Sequence, residues 1–177
     1  EARIGDQGVR AISAIQSLIG LSLPDNNITS AGARHISALT RLEHLNLNGN
    51  PIGDVGAEAV GEILSLVRLD LRGCGVGPQG AKALSKLVNL KSLILEGNRI
   101  SDVGLSSFRG FSRLEHLDLL GNEIGDLDAE VFSPDSFPRL SSLNLPNNNI
   151  GTRGARAISV LPSLKTLSLS GNPVGDD

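Results

Sequence analysis

Leucines recur along the chain in triplets. Leu18, Leu42, Leu66, Leu90 and Leu114 stand 24 residues apart, Leu140 follows after 26, and Leu164 after a further 24. Each opens the same phrase, L-x-x-L-x-L-x-x-N-x-I. Its second leucines are Leu21, Leu45, Leu69, Leu93, Leu117, Leu143 and Leu167. Its third are Leu23, Leu47, Leu71, Leu95, Leu119, Leu145 and Leu169. The L-x-L pair alternates with period two, which predicts a short strand with one buried face. Units repeated at a fixed period stack, so the strands are expected to pair in one parallel sheet. Asn26, Asn50, Asn98, Asn122, Asn148 and Asn172 fall where the chain leaves that sheet, and Cys74 takes the seventh place. A buried amide there can satisfy backbone groups of neighbouring turns. A small thiol, a weak hydrogen-bonder, is a tolerable substitute.

The second half of each unit has helical spacing. Gly53-Asp54-Val55-Gly56-Ala57-Glu58-Ala59-Val60 and Gly151-Thr152-Arg153-Gly154-Ala155-Arg156-Ala157-Ile158 are two examples. Ser30, Asp54, Asp102, Asp126 and Thr152 are candidate N-caps of these helices. Pairs such as Val60 with Ile63 and Leu84 with Leu87 supply the buried side, and Gly and Ala let each helix lie close to the strand layer. The predicted organisation is a single domain, residues 1–177. It has a partial unit at 1–17 and seven units starting at 18, 42, 66, 90, 114, 140 and 164. Solenoids require polar capping units, and neither end carries one, so the chain is expected to be a piece whose caps lie elsewhere. The unit starting at 114 is irregular, with Phe132, Pro134, Phe137, Pro138 and two extra residues. Its rings are expected to join Phe108 and Phe111 in one aromatic cluster under a distorted outer side.

The leucine framework resembles that of leucine-rich repeat proteins over essentially the whole chain. The 24-residue unit with G-x-x-G-A-x-A is similar to the GALA-type class, which occurs in plant-pathogen effectors and related bacterial proteins. Leu105, Ser107, Asp128 and Val131 depart from that pattern, and the F-box that often precedes such repeats is not visible. The resemblance implies an α/β fold: a right-handed leucine-rich repeat solenoid with a concave parallel sheet and short convex helices. It also implies a type III effector with a role in virulence, acting in the cytosol of a host cell.

Composition narrows the function classes. Aromatic residues make up 2% of the chain, with no Trp, Tyr or Met, so the core rests on leucine rather than rings. A net charge of −3 argues against nucleic acid as a partner. No apolar run reaches the roughly 20 residues of a membrane span. One cysteine permits no intrachain disulfide, which favours a cytoplasmic location.

Catalytic signals are weak. Gly75-Val76-Gly77-Pro78-Gln79-Gly80 fits the dinucleotide pattern G-x-G-x-x-G, and Glu96 follows at a suitable distance. Gly77 and Gly80, however, occupy positions that hold Gly in most units. A 24-residue unit is also short for a crossover of roughly 30 residues. His44 and His116 share a column three units apart, roughly 14 Å at strand spacing, too far for one metal. His116 and Asp118 lie within reach of each other on one strand face, but no nucleophile accompanies them. Asp126, Asp128 and Glu130 read as acidic residues of a helix start rather than a cation loop. No cofactor, metal or enzyme activity is expected.

The outward columns of the strands are more informative. Arg68, Asp70, Arg72, Glu96, His116 and Asp118 surround Ile94 and Leu120 in the middle units, whereas the ends hold Ser, Pro and Thr. An apolar centre with a charged rim is the anatomy of a protein-binding patch. The competing reading is a solvated surface with a self-satisfying Arg72–Glu96 pair. The expectation is a monomeric, non-catalytic interaction module that binds a partner protein through these eight residues. The alternative is the substrate-recognition domain of a larger enzyme, such as a ubiquitin-ligase adaptor.

Overall fold

The computed structural model describes residues 3–127 and 131–175. Seven three-residue strands form one parallel sheet in chain order: β1 (Gly20–Ser22), β2 (His44–Asn46), β3 (Arg68–Asp70), β4 (Ser92–Ile94), β5 (His116–Asp118), β6 (Ser142–Asn144) and β7 (Thr166–Ser168). The register never slips, and Leu21, Leu45, Leu69, Leu93, Leu117, Leu143 and Leu167 form one continuous column. Register is pinned because a one-residue shift would turn every leucine outward. The interior leucines of all three columns are essentially solvent-free, whereas Leu167, on the outermost strand, is 45% exposed.

Helices return the chain on the other side: α1 (Gly5–Ile12), α2 (Ser30–Ile36), α3 (Gly53–Val60), α4 (Pro78–Leu84), α5 (Ser101–Leu105) and α6 (Thr152–Ile158). At five to eight residues they are too short to be stable alone and depend on packing. Their glycines make that packing possible. A Cβ on Gly80 would stand 2.7 Å from Val76 Cγ1 and 3.0 Å from Ala57 Cβ of the neighbouring helix. The described residues of the unit starting at 114 contain no α-helix, although the sequence offers Asp126 as the cap of one. Its rings do not merge with those of the unit before. Phe108 packs on Phe111 at 5.1 Å between centroids, and Phe132 on Phe137 at 5.7 Å, as two separate buried pairs. Each unit keeps its own pair because the stacking places successive outer segments side by side, not around a common centre.

The asparagine column is a hydrogen-bonded ladder. Asn98 Oδ1 accepts from the backbone N–H groups of Cys74 (3.2 Å) and Val76 (2.9 Å), one unit back. Its amide nitrogen donates to the carbonyls of Leu71 and Leu95, both at 2.8 Å. Asn50 and Asn148 repeat this arrangement. Cys74 reproduces only half of it. Its thiol donates to Leu47 O at 3.1 Å but supplies no amide oxygen. The preceding turn rewires instead, with Asn50 N–H donating to Leu47 O and Ile52 N–H to Asn50 O. Burial pushes the Cys74 thiol up to about 11.

Helix capping departs from the sequence expectation. Asp54 does not cap α3, which begins after Ile52 without a side-chain cap. Its Oδ1 accepts from Gly77 N–H (2.6 Å) and Gly80 N–H (2.9 Å), at the start of α4 one unit on. Asp126 likewise takes Gly151 and Gly154 N–H, both at 2.8 Å, at the start of α6. Asp6 takes Thr29 and Gly32 N–H at the start of α2. Each carboxylate extends along the stacking direction, where the next helix exposes unsatisfied N–H groups. Ser30 is the first residue of α2, whose cap is Thr29, its hydroxyl accepting from Ala31 N–H at 3.2 Å. Thr152 is the first residue of α6 and donates its hydroxyl to Gly175 O. The Asp102 side chain, Asp128 and Glu130 lie outside the described residues.

Candidate functional site

The strands present alternate side chains to the open face of the sheet. There, β1 to β4 border a depression of about 490 Å³. Its floor is strand backbone at Leu21, Leu45 and Leu69, whose side chains turn the other way into the core, and its walls include His44, Asn46, Arg68, Asp70, Ser92 and Ile94. Room at its first strand comes from Gly20, where an added Cβ would meet only His44 Cβ, at 3.9 Å. A second depression of about 200 Å³ lies over β5 to β7, bordered by His116, Asp118 and Asn144 among others.

The eight residues singled out from the sequence therefore divide. Arg68, Asp70 and Ile94 share the larger depression. His116 and Asp118 border the smaller one. Glu96 and Leu120 lie just beyond their strands, half-buried and outside both. Arg72 is half-buried at the rim, with its guanidinium turned onto Asp70. Gly20, Ser22, His44, Asn46 and Ser92 also line the larger depression. They stand in the same outward columns as the charged residues, but charge does not mark them, since what they contribute is space.

Hydrogen bonding separates side chains committed to the fold from those left available. Asp70 is 9% exposed. It accepts from Arg72 Nη2 at 2.7 Å and from Arg72 Nε at 3.1 Å on both oxygens. It also accepts from the Arg72 N–H at 3.2 Å. The hydrogen bonds and charge of Asp70 raise the Arg72 guanidinium above its ordinary value. The Arg72–Glu96 pair of the competing reading gives way to Arg72–Asp70, because a side chain two residues back on the same strand face is closer than one across a strand end. Glu96 adds only through-space attraction. Asp118 is similarly committed, accepting from Leu120 N–H (3.1 Å) and Asn144 Nδ2 (2.9 Å) rather than from His116. Arg68 is exposed, and its side chain has no hydrogen-bond or ion-pair partner among the described residues.

The dinucleotide-like glycines are also accounted for. The N–H groups of Gly77 and Gly80 would have to face a phosphate, but they already hold the Asp54 carboxylate. No group of three or more His, Cys, Asp or Glu suited to a metal occurs among the described residues, and no described helix is long and apolar enough to cross a membrane.

Stacked strand–turn–helix units with three leucine columns and an asparagine ladder define a leucine-rich repeat solenoid, and the chain belongs to the leucine-rich repeat proteins. Models of the leucine-rich repeat match residues 88–150, residues 64–85 and 160–177, and, as a two-copy model, residues 16–58. Among solved structures the chain is similar to an internalin C2 from Listeria monocytogenes. That protein is 28% identical, with a TM-score of 0.81, over 99% of this chain and 70% of that one. It is also similar to a plant ice-binding protein, 26% identical with a TM-score of 0.58, over 92% of this chain and 60% of that one. No curated protein matches the sequence.

Proposed function

We propose that the chain is a non-catalytic module that binds a partner protein on its open strand face. The observation that carries this reading is the depression over β1 to β4, where the apolar side chain of Ile94 and the unpaired, exposed guanidinium of Arg68 share one recess. Such concave, mostly apolar surfaces with a few placed polar groups are where proteins seat ligands. The rest of the unit is consumed by packing, by the ladder and by the inter-unit caps. The sheet supplies a rigid platform, because each strand is held by its neighbours and by the ladder beneath. The finer placement, a bacterial effector working as a monomer in host-cell cytosol, draws on the likeness of G-x-x-G-A-x-A to GALA-type repeats.

The test is capture from eukaryotic cytosol by the wild-type chain and by the Gly20→Trp/Ser92→Trp variant, which fills the depression. Captured proteins are then purified and titrated by calorimetry. A protein that binds the wild type and loses at least about tenfold affinity for the filled variant is the expected outcome. Equal affinities for both chains would place binding elsewhere and end this reading.

A further inference from the structure

Charge in the larger depression is unbalanced. Two ionised side chains line it, Arg68 and Asp70. The Asp70 carboxylate is spent on three side-chain hydrogen bonds from Arg72 and one from the backbone. Among the described residues the Arg68 guanidinium has no such partner, so it stands over the open face of the sheet as an unanswered cation. A guanidinium beside low-dielectric walls seeks a carboxylate, which it can hold through two parallel N–H bonds. The second anchor is apolar. Ile94 lies on the adjacent strand, two residues further along than the register partner of Arg68, which is Ser92. Strand spacing of about 4.8 Å and two residues of strand rise separate the two anchors by roughly 8 Å. In an extended peptide, side chains two apart on one face are roughly 7 Å from each other.

From this juxtaposition, and resting on the reading of the strand face as a protein-binding surface, we infer that the depression takes an extended acidic segment of the partner. That segment has the form acidic–x–aliphatic, with its carboxylate on Arg68 and its aliphatic side chain against Ile94. The segment crosses the strands obliquely, and the space over Gly20 and Ser22 admits its backbone. Arg72 takes no part, since its charge is already neutralised by Asp70.

The probes are fluorescein-labelled heptapeptide pools with central Asp-x-Leu, Lys-x-Leu or Asp-x-Ser, otherwise randomised over uncharged residues. Binding to the whole 177-residue chain is followed by polarisation at low and high salt. The Asp-x-Leu pool is expected to bind about tenfold or more tighter than Lys-x-Leu, with that advantage shrinking as salt rises. Asp-x-Ser is expected to fall between the two. Arg68→Glu, whose fold is checked by circular dichroism, is expected to reverse the preference, and Arg68→Gln to erase it. Equal binding of the acidic and basic pools, or an acidic preference that survives Arg68→Glu, overturns the inference. If such binding is still lost in the Gly20→Trp/Ser92→Trp variant, the broader strand-face reading stands while the acidic segment falls. Absence of binding by all three pools also overturns the inference, and the broader reading is then decided by the capture experiment alone.

Discussion

Removing the amide of Asn98 tests the ladder most directly. Asn98→Ala deprives two buried donors, the N–H groups of Cys74 and Val76, of their acceptor, and takes the donor from Leu71 O. Each unsatisfied buried group costs roughly 1–3 kcal/mol, and partial relaxation keeps the sum near 3–6 kcal/mol. The structure contains its own control for relaxation. At Cys74, where the amide is already missing, the turn rewires through Leu47 O and Asn50 O, and the thiol is shared weakly between Leu47 O and Arg72 O. Asn98→Cys should therefore cost only about 1–2 kcal/mol. The reverse change, Cys74→Asn, should gain about 1 kcal/mol by giving Asn50 and Ile52 N–H the acceptor that the other interior units have. The chain has no Trp or Tyr, so urea unfolding is best followed by far-ultraviolet circular dichroism. The expected order is Cys74→Asn, wild type, Asn98→Cys, Asn98→Ala, with a gap of about 2 kcal/mol or more between the last two. If Asn98→Ala matched Asn98→Cys within about 0.5 kcal/mol, the idea that the amide satisfies otherwise orphaned groups would be wrong.

Further outcomes follow from the same geometry. Gly80→Ala should destabilise by about 1–2 kcal/mol, since its Cβ meets Val76 and Ala57, whereas Gly110→Ala, with nothing within 4 Å, should be neutral or slightly stabilising; paired urea melts check the contrast. Asp54→Ala should cost about 1–2 kcal/mol by uncapping α4. Adding Gly77→Thr should restore part of it, since Thr29 shows a hydroxyl capping α2 from the corresponding place, and no rescue would indicate that Asp54 acts by some other route. Burial raises the Asp6 carboxyl, but hydrogen bonds from the backbone and hydroxyl of Thr29 and from Gly32 outweigh it, leaving it below its ordinary value. A folded value lower than the unfolded one means that Asp6 stabilises above about pH 4 and that this is lost as pH falls through the folded value. Asp6→Asn should therefore differ most from the wild type near neutrality and converge with it in acid melts. The Cys74 thiol, held at about 11 by burial, should resist thiol reagents at pH 8 and react only as fast as the chain unfolds; rapid labelling of the native protein would contradict its buried placement.

The fold was legible because a repeating sequence leaves few alternatives. Three leucines at fixed offsets can all be buried in only one register, and the Asn column marks the turn because an amide both donates and accepts where the backbone changes direction. Even Cys74 was readable as a buried substitute. The candidate face was legible only as columns, since a period assigns a residue to a column and says nothing of which neighbour it will touch. Asp54 sits in the first turn of the helix of its own unit, too far along to cap it, and its carboxylate went instead to the free N–H groups of Gly77 and Gly80 at the start of the next. Arg72 had two carboxylates within reach, and the shorter path along one strand face selected Asp70 over Glu96. That choice withdrew Arg72 and Asp70 from binding and left Arg68 unpaired. The depression itself lies nearer the first strands than charge suggested, because space is made by what is missing, the side chain of Gly20 and the small Ser22, and only packing in three dimensions shows where such gaps join. The sequence by itself determined the unit, the buried columns and the parallel sheet, all of them consequences of period and hydrophobicity. Tertiary structure alone decided the pairings between polar side chains and the position of the depression, because those depend on reach and competition between groups a few ångströms apart.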